Sequence, residues 1–373
     1  MSVAVVTTTI GLPLCLPSVF ETSQLQDTYF YIVCDNKTPV QKVSKFLSEK
    51  IPDERFTVVT MPMQRDWLKS NYGDKAPRYA KVFQENNYQR RIIGFLMAKQ
   101  SGHSAIVALD DDNYPSEGSG LVDEHIGKLG KRKSDHIVAS LNSYVNFVDF
   151  LDIVPKKSRV YVRGYPLYLG EGGEYVISKG DVDVAVNIGT WSGDPDVSAL
   201  TRVTEGTIKS GVKPDMENYV LHDGSYTSMC LQNISFDMDY LVTQYEFPMN
   251  VPMNGLKLGR YDDIWAGYIC KKILDSMGKH MSFGTPMAIH DRNLHYAMKD
   301  FLGEFWGLHI NDSFYKTIRE LDLPKSSDVH YLFNELVYMM GNELKFNNWE
   351  IQKYFNRVWE DMRMWGEMVE TLK

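Results

Sequence analysis

The sequence predicts an α/β fold built on a mostly parallel sheet flanked by helices. Three observations predict it. Apolar, β-branched stretches alternate with a segment of helical period in the N-terminal half. Two of those stretches end on acidic residues, at Asp35 and at Asp110-Asp111-Asp112. Beyond about residue 310 the pattern becomes helical throughout. Strand, helix, strand in this order implies a right-handed crossover. Ligands of such sheets sit beyond the carboxyl ends of the strands.

The elements follow in order. "SVAVVTTTI" (residues 2–10) reads as a first strand; the first twenty residues lack a basic leader and hold two prolines in their apolar part, so a strand and its loop is a better reading than a signal peptide. "FYIVCDN" is a second strand and "ERFTVVTM" a third. "VFQENNYQRRIIGFLMAKQ" (82–100) has a helical period, with Ile92, Ile93, Leu96 and Met97 as its apolar stripe. "SAIVALDDD" is the next strand. The middle is richer in strands: "SRVYVRGYP", "VDVAVNIGTW" and "YTSMCLQNISF". "DDIWAGYICKKILDSMGK" is a helix with Trp265, Ile269 and Ile273 on one face, Asp262 or Asp263 as its cap and Gly278 as its stop. "HMSFGTPMAIHDR" is a strand or loop through His290. Two amphipathic helices follow, "HYLFNELVYMMGNEL" and "NWEIQKYFNRVWEDMRMWGEMVETL". The expected organisation is one domain over 1–310 and a helical extension over 311–373 packed on it. A homo-oligomer contact is the other use of those helices.

Composition bounds the function. The 373 residues are 43% hydrophobic and 24% charged, with net charge -8, which argues against bulk nucleic-acid binding. The 22 Tyr and 17 Phe are read mainly as packed core. Four cysteines without CxxC or metal spacing indicate reduced thiols and a cytoplasmic protein. No apolar run approaches the roughly 20 residues of a membrane span.

Most motifs fail on inspection. "GKLGKRKS" (127–134) lacks the glycine spacing of a phosphate loop and has Arg132 after Lys131, so "KLGKRK" reads as a solvated loop. There is no HExxH and no GxSxG. The aspartate triplet is different. Carboxylates at the end of a buried strand suit Mg²⁺ or Mn²⁺, which take few protein oxygens and leave positions for phosphate and water. This is the D-x-D arrangement of nucleotide-sugar transferases; a polar turn with an Asx cap is the competing reading. His290 is a candidate second ligand. Asp263, at a helix start, is a candidate base or orienting group.

Further segments carry a resemblance. Arg91, Gly94 and Lys99 precede the triplet; "RGYP" from Arg163 is followed by Leu169, Glu171 and Gly172. Trp191, Pro195, Asp196, Ala199 and Thr201 come next, then Met229-Cys230, Asn233 and Phe236-Asp237. The block Gly259 to Gly267 departs only at Ile264, and His290 follows Gly284 and Pro286. In this order the pieces resemble the reversibly glycosylated polypeptides, which include plant UDP-arabinopyranose mutases. The resemblance spans roughly residues 1–310, and the C-terminal helices match none of its pieces.

The resemblance implies a GT-A-like glycosyltransferase fold that binds a UDP-sugar through Mn²⁺ or Mg²⁺. It implies interconversion of pyranose and furanose UDP-arabinose and self-glycosylation on arginine. Asp112 and His290, with Asp110, would hold the metal. Asp110 and Asp111 would meet the ribose or donor sugar, Asp35 the uracil and Arg91 the diphosphate. Trp191, Asp196 and Asn233 would complete the nucleotide-sugar pocket. Arg163 would clamp diphosphate or sugar, with a covalent role if Asp262, Asp263 or Glu171 lies against it. In an ordinary transferase Asp263 would be the general base toward an external acceptor. A non-catalytic scaffold of the same fold is the third reading. Two departures bear on self-glycosylation and sugar identity: Lys156 stands where the family has its other arginine, with Arg159 out of register, and Ser198 replaces an aspartate.

Overall fold

The computed structural model describes residues 2–157, 159–211, 213, 216–290 and 296–372. Its N-terminal half is the expected parallel sheet. Strands β1 (Val3–Thr9), β2 (Thr28–Cys34), β3 (Phe56–Val59) and β4 (Ala105–Leu109) run side by side in the order β3-β2-β1-β4. All three pairings are parallel, with Val5 opposite both Phe30 and Val107. β4 is buried along its whole length, which its unbroken apolar sequence requires when both faces are covered. Helix α1 (Arg91–Gln100) covers one face. Gly94 permits this: a Cβ there would lie 2.6 Å from Val6 Cγ1 and 2.8 Å from Val33 Cγ2. The helix is shorter than its sequence period suggests. Residues 82–90 instead form tight turns, with Asn86 at φ 56° and the Asn87 side chain accepting from Gln89 N.

Beyond β4 the sheet becomes mixed. β5 is Asn113–Pro115, β6 Gly130–Ser140, β7 Tyr175–Gly193, β8 Tyr219–Leu221, β9 Asn233–Asp237 and β10 His280–His290. The order continues β4-β9-β7-β6-β8-β10-β5, and β10 also pairs parallel with β7, so this end folds back on itself. β9 runs antiparallel to both β4 and β7. "GKRKS" belongs to β6, paired with β7, rather than to a solvated loop. "SRVYVRGYP" is not a strand: Val162 makes one bridge to Val197 and the chain turns at Gly164, φ 89°. Of "YTSMCLQNISF" only the end is strand.

Helix α2 (Asp262–Met277) ends on Gly278 in the left-handed conformation, as its sequence indicates. Its N-cap is Tyr261; Asp262 and Asp263 lie in the first turn, where the helix dipole favours negative charge. A long helix, α3 (Ala297–Glu320), passes straight through the expected boundary at 310. α4 (Val329–Glu343) and α5 (Trp349–Thr371) complete the C-terminal part. These helices share the main core. Trp265 of α2 stacks on Phe314 of α3 at 5.3 Å, and Phe355 and Trp359 of α5 continue the aromatic layer. Lys99 Nζ at the end of α1 donates to Val369 O of α5 at 2.8 Å. The aromatic surplus thus serves packing. No described helix is long and apolar enough to cross a membrane, and the four cysteines are free and buried.

Candidate functional site

The carboxyl ends of β1, β2 and β4 open into a cavity of about 440 Å³. Its lining brings together Asp35 after β2, the triplet after β4, Arg91 at the start of α1, and Asp262 and Asp263 at the start of α2. Arg163, Asp196 and His290 join from distant segments. Two expected residues are absent from the lining. Trp191 is fully buried against Phe147. Asn233 is fully buried in the sheet, where it accepts from His125 Nε2 at 2.8 Å and donates to Thr190 O and Pro286 O at 3.1 Å. Trp191 lies in β7 and Asn233 in β9.

Each aspartate of the triplet has a different partner. Arg91 Nη2 donates to Asp110 Oδ1, and Arg91 Nη1 to Leu231 O. Asp110 is therefore paired with a guanidinium through Oδ1. Thr9 Oγ1 of β1 donates to Asp111 Oδ2 at 2.5 Å. Burial pushes Asp111 up to about 6, helped by Asp110 and Asp112 and opposed by the Thr9 bond. Asp112 Oδ2 lies 3.4 Å from His290 Nε2. His290 Nδ1 bonds to Asp194 O at 2.7 Å, which directs Nε2 at Asp112. Burial lowers the His290 pKa, but the bond and charge of Asp112 outweigh it and the net shift is upward. Asp35 is at the rim, its Oδ1 accepting from Asn36 N at 2.6 Å and Asn86 N at 2.9 Å.

Arg163 occupies the floor and is 4% exposed. Its Nε lies 3.0 Å from both Asp196 oxygens. Nη1 and Nη2 each donate to one Asp263 oxygen at 2.9 Å, a bidentate pair. Nη1 also donates to Arg260 O, and Nη2 meets Cys230 Sγ at 3.4 Å. Every N–H of the guanidinium is engaged. The loop carrying it is fixed as well: Gly164 O accepts from Tyr268 Oη at 2.6 Å and Asn311 Nδ2 at 2.8 Å. Burial opposes the charge on Arg163, but Asp196 and Asp263 raise its pKa well above the ordinary value. Burial also pushes Asp196 up, yet Arg163 wins and holds it well below the usual range. The carboxylates against Arg163 are thus Asp196 and Asp263; Glu171 pairs with exposed Arg159 instead. Asp263 is committed to Arg163 and to Ile264 N, and is not a free base.

Sequence reading missed several lining residues: Thr9, Lys37, Asn86, Tyr88, Arg90, Gln232, Glu246 and Arg260. Glu246 had a visible signal, a lone acid inside the apolar run "YEFPM". The lining holds eight acidic side chains (Asp35, Asp110, Asp111, Asp112, Asp196, Glu246, Asp262, Asp263) against five basic ones (Lys37, Arg90, Arg91, Arg163, Arg260). That excess favours either a bound cation or retained protons. Burial first, then Asp263, pushes Asp262 up to about 8, against Arg163.

Among the described residues no three His, Cys, Asp or Glu side chains converge as a complete metal set. The Asp112–His290 pair fits a divalent cation of another kind, one held by a carboxylate and an imidazole whose far nitrogen is fixed by a backbone carbonyl. The remaining coordination positions would go to phosphate oxygens and water. The polar residues 291–293 lie outside the described residues.

The architecture is a Rossmann-like α/β sheet with an acid-rich cavity at its strand ends. The chain belongs to the reversibly glycosylated polypeptide family, whose model matches residues 71–373. That match includes the C-terminal helices, which no recognised motif had reached. Among its relatives, the chain is 28% identical over 298 residues to probable UDP-arabinopyranose mutase 1 of Solanum tuberosum, covering 76% of this chain and 71% of that protein. It is 27% identical over 294 residues to UDP-arabinopyranose mutase 1 of Arabidopsis thaliana, covering 76% and 72%. The figures for UDP-arabinopyranose mutase 1 of Oryza sativa subsp. japonica are 25% over 286 residues, 76% and 71%.

Proposed function

We propose that the protein is a metal-dependent UDP-sugar mutase that interconverts pyranose and furanose forms. The observation that carries this reading is one cavity at the strand ends that joins the aspartate triplet to His290. Its relatives are UDP-arabinopyranose mutases by name, and this supports the reaction class. In this reading Asp35 accepts from the uracil imide at the rim. The triplet faces the diphosphate and donor sugar, with Arg91 and exposed Lys37 supplying positive charge. Asp112 and His290 hold Mn²⁺ or Mg²⁺. Bound there, the cation stabilises negative charge on the departing diphosphate. Arg163 is a positioning residue: it neutralises Asp196 and Asp263 and leaves Asp262 as the free carboxyl of the α2 terminus. The reaction requires that water be kept from the released sugar until UDP recaptures it.

Self-glycosylation receives no residue here. Lys156 is exposed and outside the cavity lining, and Arg163 has no free N–H. The buried free thiols support a cytoplasmic setting. Exposed Tyr331, Tyr338 and Trp349 on α4 and α5 offer one surface for a homo-oligomer contact, which light scattering would detect.

The test uses purified protein, Mn²⁺ and a panel of UDP-sugars without acceptor, with products separated by chromatography. A UDP-furanose product is expected. Slow release of UDP and free sugar with no isomer would favour transfer to an external acceptor. Absence of nucleotide binding would leave a scaffold.

A further inference from the structure

One carboxyl group of the cavity has no task in the reading above. Glu246 is 1% exposed and lines the cavity, and its Oε1 has no hydrogen-bond partner. Its backbone is fixed, since Gln89 Nε2 donates to Glu246 O at 2.6 Å. A buried polar atom without a partner is destabilising, and its persistence inside a cavity points to a ligand group that completes it. Asp262, 5% exposed, lines the same cavity, while its neighbour Asp263 is taken by Arg163. Burial, reinforced by Asp262, Asp263 and Asp110 and opposed by Arg91, holds Glu246 protonated well above the usual carboxylate range. Two buried carboxyl groups on separate segments therefore face one space, and Asp262, unlike Glu246, lies in the first turn of α2, where the helix dipole favours its ionised form.

We propose that Glu246 and Asp262 form the proton-exchanging pair for the sugar ring, Glu246 as acid and Asp262 as base. This rests on the mutase reading. Changing a pyranosyl to a furanosyl group changes which sugar oxygen closes the ring on C1. Once the C1–O bond to UDP has broken, O4 bonds to C1 and gives its proton to Asp262. The C1–O5 bond then breaks, and O5 takes a proton from Glu246. The UDP oxygen re-forms its bond to C1. One proton is accepted and one is donated, so the exchange balances without a further reactant. The two carboxyl groups reset by passing a proton between them or through water.

The test compares two readouts on UDP-arabinopyranose with Mn²⁺. The substrate carries heavy oxygen in the C1–O–P bridge; scrambling of that label reports cleavage, and furanose product reports ring exchange. Glu246→Gln keeps the shape and removes the transferable proton. Furanose formation should fall by about 100-fold or more, while scrambling falls far less. Melting of the variant checks its fold, and Glu246→Asp, which keeps a carboxyl group, should retain more ring exchange than Glu246→Gln. Furanose formation at the wild-type rate in Glu246→Gln overturns the assignment. Equal loss of scrambling and furanose product overturns it too, because that marks a structural role. If the wild-type protein forms no furanose, the mutase reading falls and this assignment with it, and the wild-type control alone reveals that.

Discussion

Arg163 and Arg91 are both buried guanidinium groups facing carboxylates in one cavity, and they differ in how fully they are paired. Arg163 sits between Asp196 and Asp263 with every N–H used. Arg91 pairs with half-buried Asp110, and its own buried Nε has no partner. A fully paired charge cluster has little left to offer a ligand; its role is to fix Asp263 and the start of α2. An incompletely paired cluster at strand ends can exchange partners when a charged ligand arrives. In the proposed reading the floor is scaffold and the triplet side carries the chemistry, whereas sequence alone suggests a substrate contact for both arginines.

The difference can be broken experimentally. The largest effect should come from Arg163→Met, which leaves Asp196 and Asp263 buried without their countercharge. Loss of one partner of a buried ion cluster costs about 3–5 kcal/mol, measurable by urea unfolding. A loss near zero would mean the floor is not scaffold. Asp112→Ala should follow, weakening UDP binding in the presence of Mn²⁺ by about 100-fold in calorimetric titration, with little change in stability. Unchanged affinity would remove the proposed cation from this site.

Asn233→Ala sharpens the boundary of the site. It strips partners from His125 and two buried carbonyls, so stability should drop by about 1–3 kcal/mol while UDP affinity stays within about twofold. A large affinity loss would return Asn233 to the nucleotide pocket. The smallest effect concerns pH. Asp262 keeps its proton to about 8 in the folded chain, far above the ordinary carboxylate value. The folded state binds more protons than the unfolded one between those values, so this group's contribution is full at low pH and is lost as pH rises through 8. Asp262→Asn should therefore melt a few degrees above the wild type at pH 9, with the gap closing toward pH 4. A gap independent of pH would contradict the buried, protonated carboxyl.

The strands of the parallel sheet and the C-terminal stop of α2 were legible because local pattern decides them. β4 is an unbroken apolar run, and Gly278 stops α2 in a left-handed conformation that glycine adopts without strain. The Arg163 segment was not legible as a turn, because Gly164 and its tertiary hydrogen bonds override an alternating pattern. The site was readable where residues carry charge: Asp35, the triplet, Arg91, Asp262 and His290 do converge. What the sequence could not show is who neutralises whom. Asp110 reads as a metal ligand and Arg163 as a substrate clamp, and the structure adds that Arg91 lies against the first and Asp196 and Asp263 against the second. Those pairings join positions up to 100 residues apart, and no local spacing encodes them.

The most direct test of this division of labour is a crystal structure with UDP and Mn²⁺ bound. The account predicts the metal between Asp112 and His290, uracil at Asp35, and Arg163 still paired with Asp196 and Asp263. Diphosphate bound directly by an Arg163 that has released Asp263 would contradict it.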